Sequence, residues 1–241
     1  MYHREPMTTD ASGTSRPSPP DGSALRKKIP NALTLVRLLL AAIFFVLLAF
    51  YDVDAYVHQQ DRTIWGYALL LATGLFIVAA LTDALDGYLA RKWNAISVFG
   101  RVMDPFADKI LILGAFVMLA GANFARYSVN AQPTMTSGVE TWMVVVILAR
   151  ELLITSLRGM VESRGVSFAA IGAGKIKMIA QSVAVPIILV CIVMQSAPDS
   201  EFAPTAHRVA VITAWATTVI TIWSAIPYLT RAWRAIASSA D

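Results

Sequence analysis

Apolar residues in this chain do not alternate with polar ones; they gather in blocks separated by short polar breaks. The blocks run roughly from Asn31 to Phe50, Ile64 to Leu89, Val98 to Ala122, Val139 to Val161, Ala170 to Gln195 and Ala206 to Trp233. A helix rises about 1.5 Å per residue, so ~20 apolar residues cross the ~30 Å hydrocarbon core of a bilayer. The pattern therefore predicts an all-α integral membrane protein with six transmembrane helices in one domain spanning 25–234. Residues 1–24, with Pro6, Pro17, Pro19 and Pro20 among Ser and Thr, show no apolar periodicity and read as a flexible cytoplasmic tail. Residues 235–241 read as a short C-terminal tail. The basic cluster Arg26-Lys27-Lys28 comes late, and the apolar block after it is too long for a signal-peptide core, so a cleaved leader is not expected.

Composition agrees with a bilayer setting. Of 241 residues 56% are hydrophobic and 15% charged, with a mean hydropathy of +0.59, whereas soluble chains carry about 25% charge. The single cysteine, Cys191, leaves no intrachain disulfide to infer. The few charges give direction. Alternate breaks hold Arg26, Lys27 and Lys28; Arg91, Lys92 and Arg101; Arg158, Arg164, Lys175 and Lys177; and Arg231 and Arg234. The opposite breaks hold only Arg62, Arg126 and Arg208, beside Asp52, Asp54, Asp61, Asp199 and Glu201. By the positive-inside rule both termini are cytoplasmic.

Four carboxylates stand where an apolar helix should not want them. Asp83 and Asp86 close the second block, and Asp104 and Asp108 open the third. Spacings of three and four put each pair on one helix face. If the two helices are antiparallel neighbours, all four converge. Like charges about 5 Å apart at an effective dielectric near 20 repel by ~3 kcal/mol per pair. Protons, basic side chains or metal ions must neutralise such a cluster. An all-oxygen set suits Mg²⁺ or Mn²⁺, and four carboxylates can bridge two ions; without His or Cys nearby, zinc is disfavoured. Gly87, Ala90 and Gly100 could let a phosphate approach the backbone or could serve helix packing. Arg91 could fork onto a phosphate or simply mark the cytoplasmic side.

Together these residues read Asp83-x2-Asp86-Gly87-x2-Ala90-Arg91-x8-Gly100-x3-Asp104-x3-Asp108. The stretch resembles the signature of the CDP-alcohol phosphatidyltransferases at every fixed position and spacer. The resemblance implies a six-helix membrane fold, a homodimer in a bacterial inner membrane, and an active site at the cytoplasmic face. It assigns Asp83, Asp86, Asp104 and Asp108 to two Mg²⁺ or Mn²⁺ ions, with Asp108 also the general base. Gly87, Ala90, Arg91 and Gly100 would hold the cytidine and pyrophosphate of CDP-diacylglycerol. Asn31, Thr34 and Arg37 recur every three residues at the start of the first block. They could be an N-cap and a snorkelling arginine, but their segment resembles the family's first helix, which favours donor contact.

A second constellation is cationic. Arg150 and Glu151 lie well inside the fourth block, Arg158 follows two turns later, Lys175 and Lys177 enter the fifth, and Lys109 adjoins Asp108. Ionisable residues in such positions face a cavity or pair with one another. One reading is a pocket for a phosphorylated acceptor; the other is an ion-pair network of Arg150 with Glu151 or Glu162. Ala149-Arg150-Glu151, Leu157-Arg158 and Gly174-Lys175-Ile176-Lys177, with Gln181 after them, resemble the phosphatidylglycerophosphate synthase branch, which implies glycerol 3-phosphate as acceptor. Inositol phosphate would need a similar pocket. Membrane prenyltransferases also use Asp-rich motifs, but typically with about nine spans. A divalent-cation transporter would carry its carboxylates nearer mid-membrane. No nucleic-acid partner is expected.

Overall fold

The structure, a computed structural model, describes residues 22–52, 62–93, 98–128, 131–163, 172–196 and 201–237. Among the described residues seven helices carry the fold: α1 (Gly22–Phe50), α2 (Arg62–Trp93), α3 (Val98–Leu119), α4 (Thr141–Glu162), α5 (Gly172–Ser196), α6 (Ala203–Trp223) and α7 (Ile226–Ala237). A short 3₁₀ turn, Ala122–Phe124, and an antiparallel hairpin of β1 (Ala125–Ser128) and β2 (Ala131–Met135) link α3 to α4.

Pairwise contacts fix the direction of each helix. Arg37 meets Asp83, Phe44 stacks on Phe76 and Tyr51 meets Trp65, so α1 and α2 run antiparallel. Phe45 lies against Gly114, and Asn123 donates to the carbonyls of Leu48 and Ala49, so α1 and α3 run parallel. Gly114 is required there, because a Cβ would stand 2.5 Å from the Phe45 ring. Lys109 with Thr155 and Leu119 with Ser137 make α4 antiparallel to α3. Lys177 with Glu151 and Gln195 with Thr136 reverse α5, and Gln181 with Thr221 and Gln195 with His207 reverse α6. The six long helices alternate, and the starts of α1, α3 and α5 share one end of the bundle with the ends of α2, α4 and α6.

Their core is built from Phe44, Phe76, Phe116, Ile147 and Ile188, one from each of α1 to α5, with Ala214 of α6. The outer surface is also apolar: Leu39, Leu71, Val145 and Ile212 are all more than half exposed. Water would not tolerate that exterior and lipid does. Helices long and apolar enough to cross a membrane cover Ala32–Phe50, Ile64–Asp83, Gly172–Gln195 and Ala203–Arg234. The chain is a multi-pass membrane protein.

Among the described residues four of the six long helices meet a span criterion on length and composition. The other two, α3 and α4, have 22 residues each and carry charges in their length: Arg101, Asp104, Asp108 and Lys109 in α3, Arg150, Glu151, Arg158 and Glu162 in α4. Two expectations need correction. The fold is mostly rather than wholly α, because the hairpin intervenes at 125–135. The block from Ala206 to Trp233 is two helices. Pro227 has no N–H and its ring would clash with the carbonyl four residues back in a continuous helix, so the chain turns at Ser224–Ala225 and restarts at Ile226. The first helix includes residues 22–24 and α7 continues to Ala237, while residues 1–21 and 238–241 lie outside the described residues.

Candidate active site

Among the described side chains, the charged candidates Arg37, Asp83, Lys109, Arg150, Arg158, Lys175 and Lys177 belong to one end of the bundle. At its α1–α2 edge, Thr34 and Arg37 lie one turn apart and are both about 1% exposed. Arg37 does not snorkel. Its Nη1 donates to Oδ1 of Asp83 at 2.6 Å, and the carboxylate is 30% exposed. A buried guanidinium needs such a partner, since desolvating an unpaired charge costs several kcal/mol. Nor is Asn31 an N-cap, because α1 begins nine residues earlier, at Gly22; its side chain lies outside the described residues.

Asp86, Gly87, Ala90 and Arg91 continue α2 beyond Asp83, and Gly100, Asp104 and Asp108 belong to α3; the side chains at these seven positions lie outside the described residues. Helix register still locates the positions. Eight residues before the Phe45–Gly114 contact, in each of two parallel helices, Arg37 falls level with the turn of α3 between 104 and 108. Among the described residues α2 and α3 both pack chiefly on α1 and touch each other less. The positions of the two aspartate pairs thus lie on helices that both pack against α1, at the end that carries Arg37.

The cationic constellation is a cavity. Lys109, Arg150, Arg158, Lys175 and Lys177 all line one space of about 440 Å³, with Glu151, Thr155, Gly174, Gln181 and Tyr228. Arg150 Nη1 and Lys177 Nζ both donate to Oε1 of Glu151, at 2.8 and 2.7 Å. Laid end to end these distances put the two nitrogens within about 5.5 Å, where two cations repel by ~3 kcal/mol at an effective dielectric near 20. Lys109 donates to Thr155 Oγ1 at 2.7 Å, and that hydroxyl donates to the Glu151 carbonyl. The Arg150–Glu151 pair expected on the structural reading does form, but among the described residues it leaves most of the charge unmatched: five cations face one carboxylate.

Arg150 shows where the excess points. The residue is only 9% exposed, and its Nε and Nη2 have no hydrogen-bond partner among the described residues. Those two N–H groups form the side-on edge of the guanidinium, the edge that accepts a carboxylate or phosphate with two parallel bonds. Arg158 Nε and Gln181 Oε1 are likewise buried without a partner among the described residues.

Tyr228 completes the wall and escaped the sequence reading. Its ring lies under the Arg150 guanidinium, 5.6 Å from centroid to carbon, and its hydroxyl lies against Gly174, where a Cβ would come within 2.6 Å. With Ile154, Val161, Ala225 and Ala232 it packs α7 onto α4. Nothing in the sequence marked it, because its helix was read as the tail of a longer span.

Comparison with known proteins adds to this geometry. Residues 27–223 match the CDP-alcohol phosphatidyltransferase family. The CDP-diacylglycerol–glycerol-3-phosphate 3-phosphatidyltransferase of Bacillus subtilis is 34% identical over 212 residues, covering 88% of this chain and 98% of that protein. A probable phosphatidylglycerophosphate synthase of Mycobacterium tuberculosis is 33% identical over 215 residues, covering 89% and 86%. A second enzyme of the Bacillus type, from Arabidopsis thaliana, is 29% identical over 231 residues, covering 91% and 86%. The cation-transport and prenyltransferase readings fall with these matches. A match across nearly the whole bundle, over helices that gather the aspartate positions and the cationic cavity at one end, places the chain in the CDP-alcohol phosphatidyltransferase family of enzymes.

Proposed function

We propose that this enzyme transfers the phosphatidyl group of CDP-diacylglycerol to glycerol 3-phosphate, giving phosphatidylglycerophosphate and CMP, at the cytoplasmic face of a bacterial inner membrane. The observation that carries the acceptor is the unpartnered Nε–Nη2 edge of Arg150, buried in a cavity of five cations and one carboxylate. A phosphate monoester supplies both what the edge lacks and the missing negative charge. The relatives named for the same reaction support this choice. The charge of the bundle supports the orientation. Among the described residues Arg26, Lys27, Lys28, Arg37, Arg91, Lys92, Arg101, Lys109, Arg150, Arg158, Lys175, Lys177, Arg231 and Arg234 belong to the site end of the bundle, and Arg62, Arg126 and Arg208 to the other.

The donor side rests on the aspartates. Asp83, Asp86, Asp104 and Asp108 would hold two Mg²⁺ or Mn²⁺ ions, an assignment that suits an all-oxygen donor set and a register gathering their positions around Arg37. Such ions neutralise charge on phosphate oxygens. Arg37 fixes the rotamer of Asp83. Gly87, Ala90, Arg91 and Gly100 receive the cytidine and pyrophosphate. Asp108 takes the proton from the attacking hydroxyl of the acceptor, whose oxygen bonds to the lipid-linked phosphorus as the bond to CMP breaks. Because Lys109 adjoins Asp108 and lines the cavity, the base and the acceptor phosphate are neighbours.

The test is to offer purified protein, with Mg²⁺ and CDP-diacylglycerol, glycerol 3-phosphate, inositol phosphate, inositol and serine separately, and to identify the lipid product by mass spectrometry. Phosphatidylglycerophosphate with equimolar CMP is expected, and none from Asp108→Asn. Product from another acceptor in preference would overturn the assignment.

A further inference from the structure

Gln181 stands on α5 one turn after Lys177 and shares its face toward the cavity. It is fully buried. Its amide orientation is fixed by a chain of donors. Thr221 Oγ1 donates its only proton to the Thr217 carbonyl at 2.8 Å, so it can only accept from Gln181, and Gln181 Nε2 donates to it at 3.1 Å. The carbonyl end, Oε1, therefore cannot trade places with the amine. That Oε1 has no donor among the described residues. A buried acceptor in the wall of a cavity that also carries five cations is a place for a neutral hydroxyl, because an ionised phosphate oxygen would be repelled by it.

We infer that Gln181 reads the non-reacting hydroxyl of the acceptor: Oε1 accepts a hydrogen bond from the C2 hydroxyl of glycerol 3-phosphate, while the cations hold the phosphate and the C1 hydroxyl attacks. This rests on the acceptor proposed above. It makes Gln181 a specificity-determining residue that separates a polyol phosphate from a phosphate ester lacking the second hydroxyl. An unpaired buried polar group penalises the analogue without the matching one.

The experiment compares glycerol 3-phosphate with 3-hydroxypropyl phosphate, which lacks only the C2 hydroxyl, in full-length wild type and in Gln181→Met. In wild type kcat/KM is expected to favour glycerol 3-phosphate by about ten- to a hundredfold, the effect of one hydrogen bond to a buried neutral group. In Gln181→Met the ratio should fall to within about threefold of one, with the loss falling on glycerol 3-phosphate. Thr221→Val, which frees the amide to turn, should lower the ratio partway and supplies a second variant if Gln181→Met does not fold. A wild-type ratio near one, or a ratio that survives Gln181→Met, overturns the inference. Failure of wild type to use either ester would instead overturn the acceptor reading beneath it.

Discussion

The two arginines Arg37 and Arg150 are both buried at the same end of one bundle, and they are satisfied differently. Arg37 pairs with Asp83 across two helices, Nη1 to Oδ1 at 2.6 Å. Among the described residues Arg150 shares one carboxylate with Lys177, has three further cations around the same cavity, and keeps two nitrogens unpartnered. An ion pair that joins two helices can fix their carboxylate and guanidinium in place before any ligand binds. A cluster left four charges in excess is destabilised until an anion arrives. The first is therefore built for positioning and the second for binding, although both read alike in the sequence as a charge in an apolar block.

Separate losses should break this contrast in opposite ways. The largest effect is expected at the closed pair. Asp83→Asn leaves Arg37 buried beside a neutral amide, and thermal unfolding in detergent should show a loss of about 3 kcal/mol, the low end for a broken buried pair because Asp83 is partly exposed. In the cavity, Arg150→Met should raise the KM for glycerol 3-phosphate about ten- to a hundredfold with little change in kcat. It should lower the unfolding free energy much less than Asp83→Asn, because one of several crowded cations is removed. A third effect concerns Tyr228. Tyr228→Leu removes the ring beneath Arg150 and should raise the acceptor KM roughly fivefold, whereas Tyr228→Phe keeps the ring and should stay within about twofold of wild type. The smallest belongs to Lys175, the exposed cation at the rim: Lys175→Met should change the same KM by only about twofold, fading as salt is added.

Much of the site was legible in the sequence because its chemistry is costly. Charges inside apolar blocks have few uses, so Arg150, Glu151, Arg158, Lys175 and Lys177 could be grouped before any geometry was known, and the structure brings them to one cavity. Spacing alone could not tell which buried cation is closed and which is open. Arg37 and Arg150 differ through Asp83 and Tyr228, contacts made across helices far apart in sequence. Tyr228 was harder still, and Gln181 could be placed only by its stretch's resemblance to a family branch, since a neutral side chain in an apolar helix carries no sign of an unmet hydrogen bond. The hairpin at 125–135 was hidden for another reason: two short strands between long helices leave too few residues for a period to show. The break before α7 was readable in principle from Pro227, but the apolar run across it masked the stop.

The central claim is that the excess charge around Arg150 exists to hold a phosphate. Its most direct test is the rate of CMP release by the wild-type enzyme from CDP-diacylglycerol with glycerol 3-phosphate and with glycerol, which differ only in that group. A kcat/KM for glycerol at least about a hundredfold lower is expected from losing charge-assisted bonds to buried donors. Comparable use of the two acceptors would show that the five cations do not read the phosphate and would contradict the account.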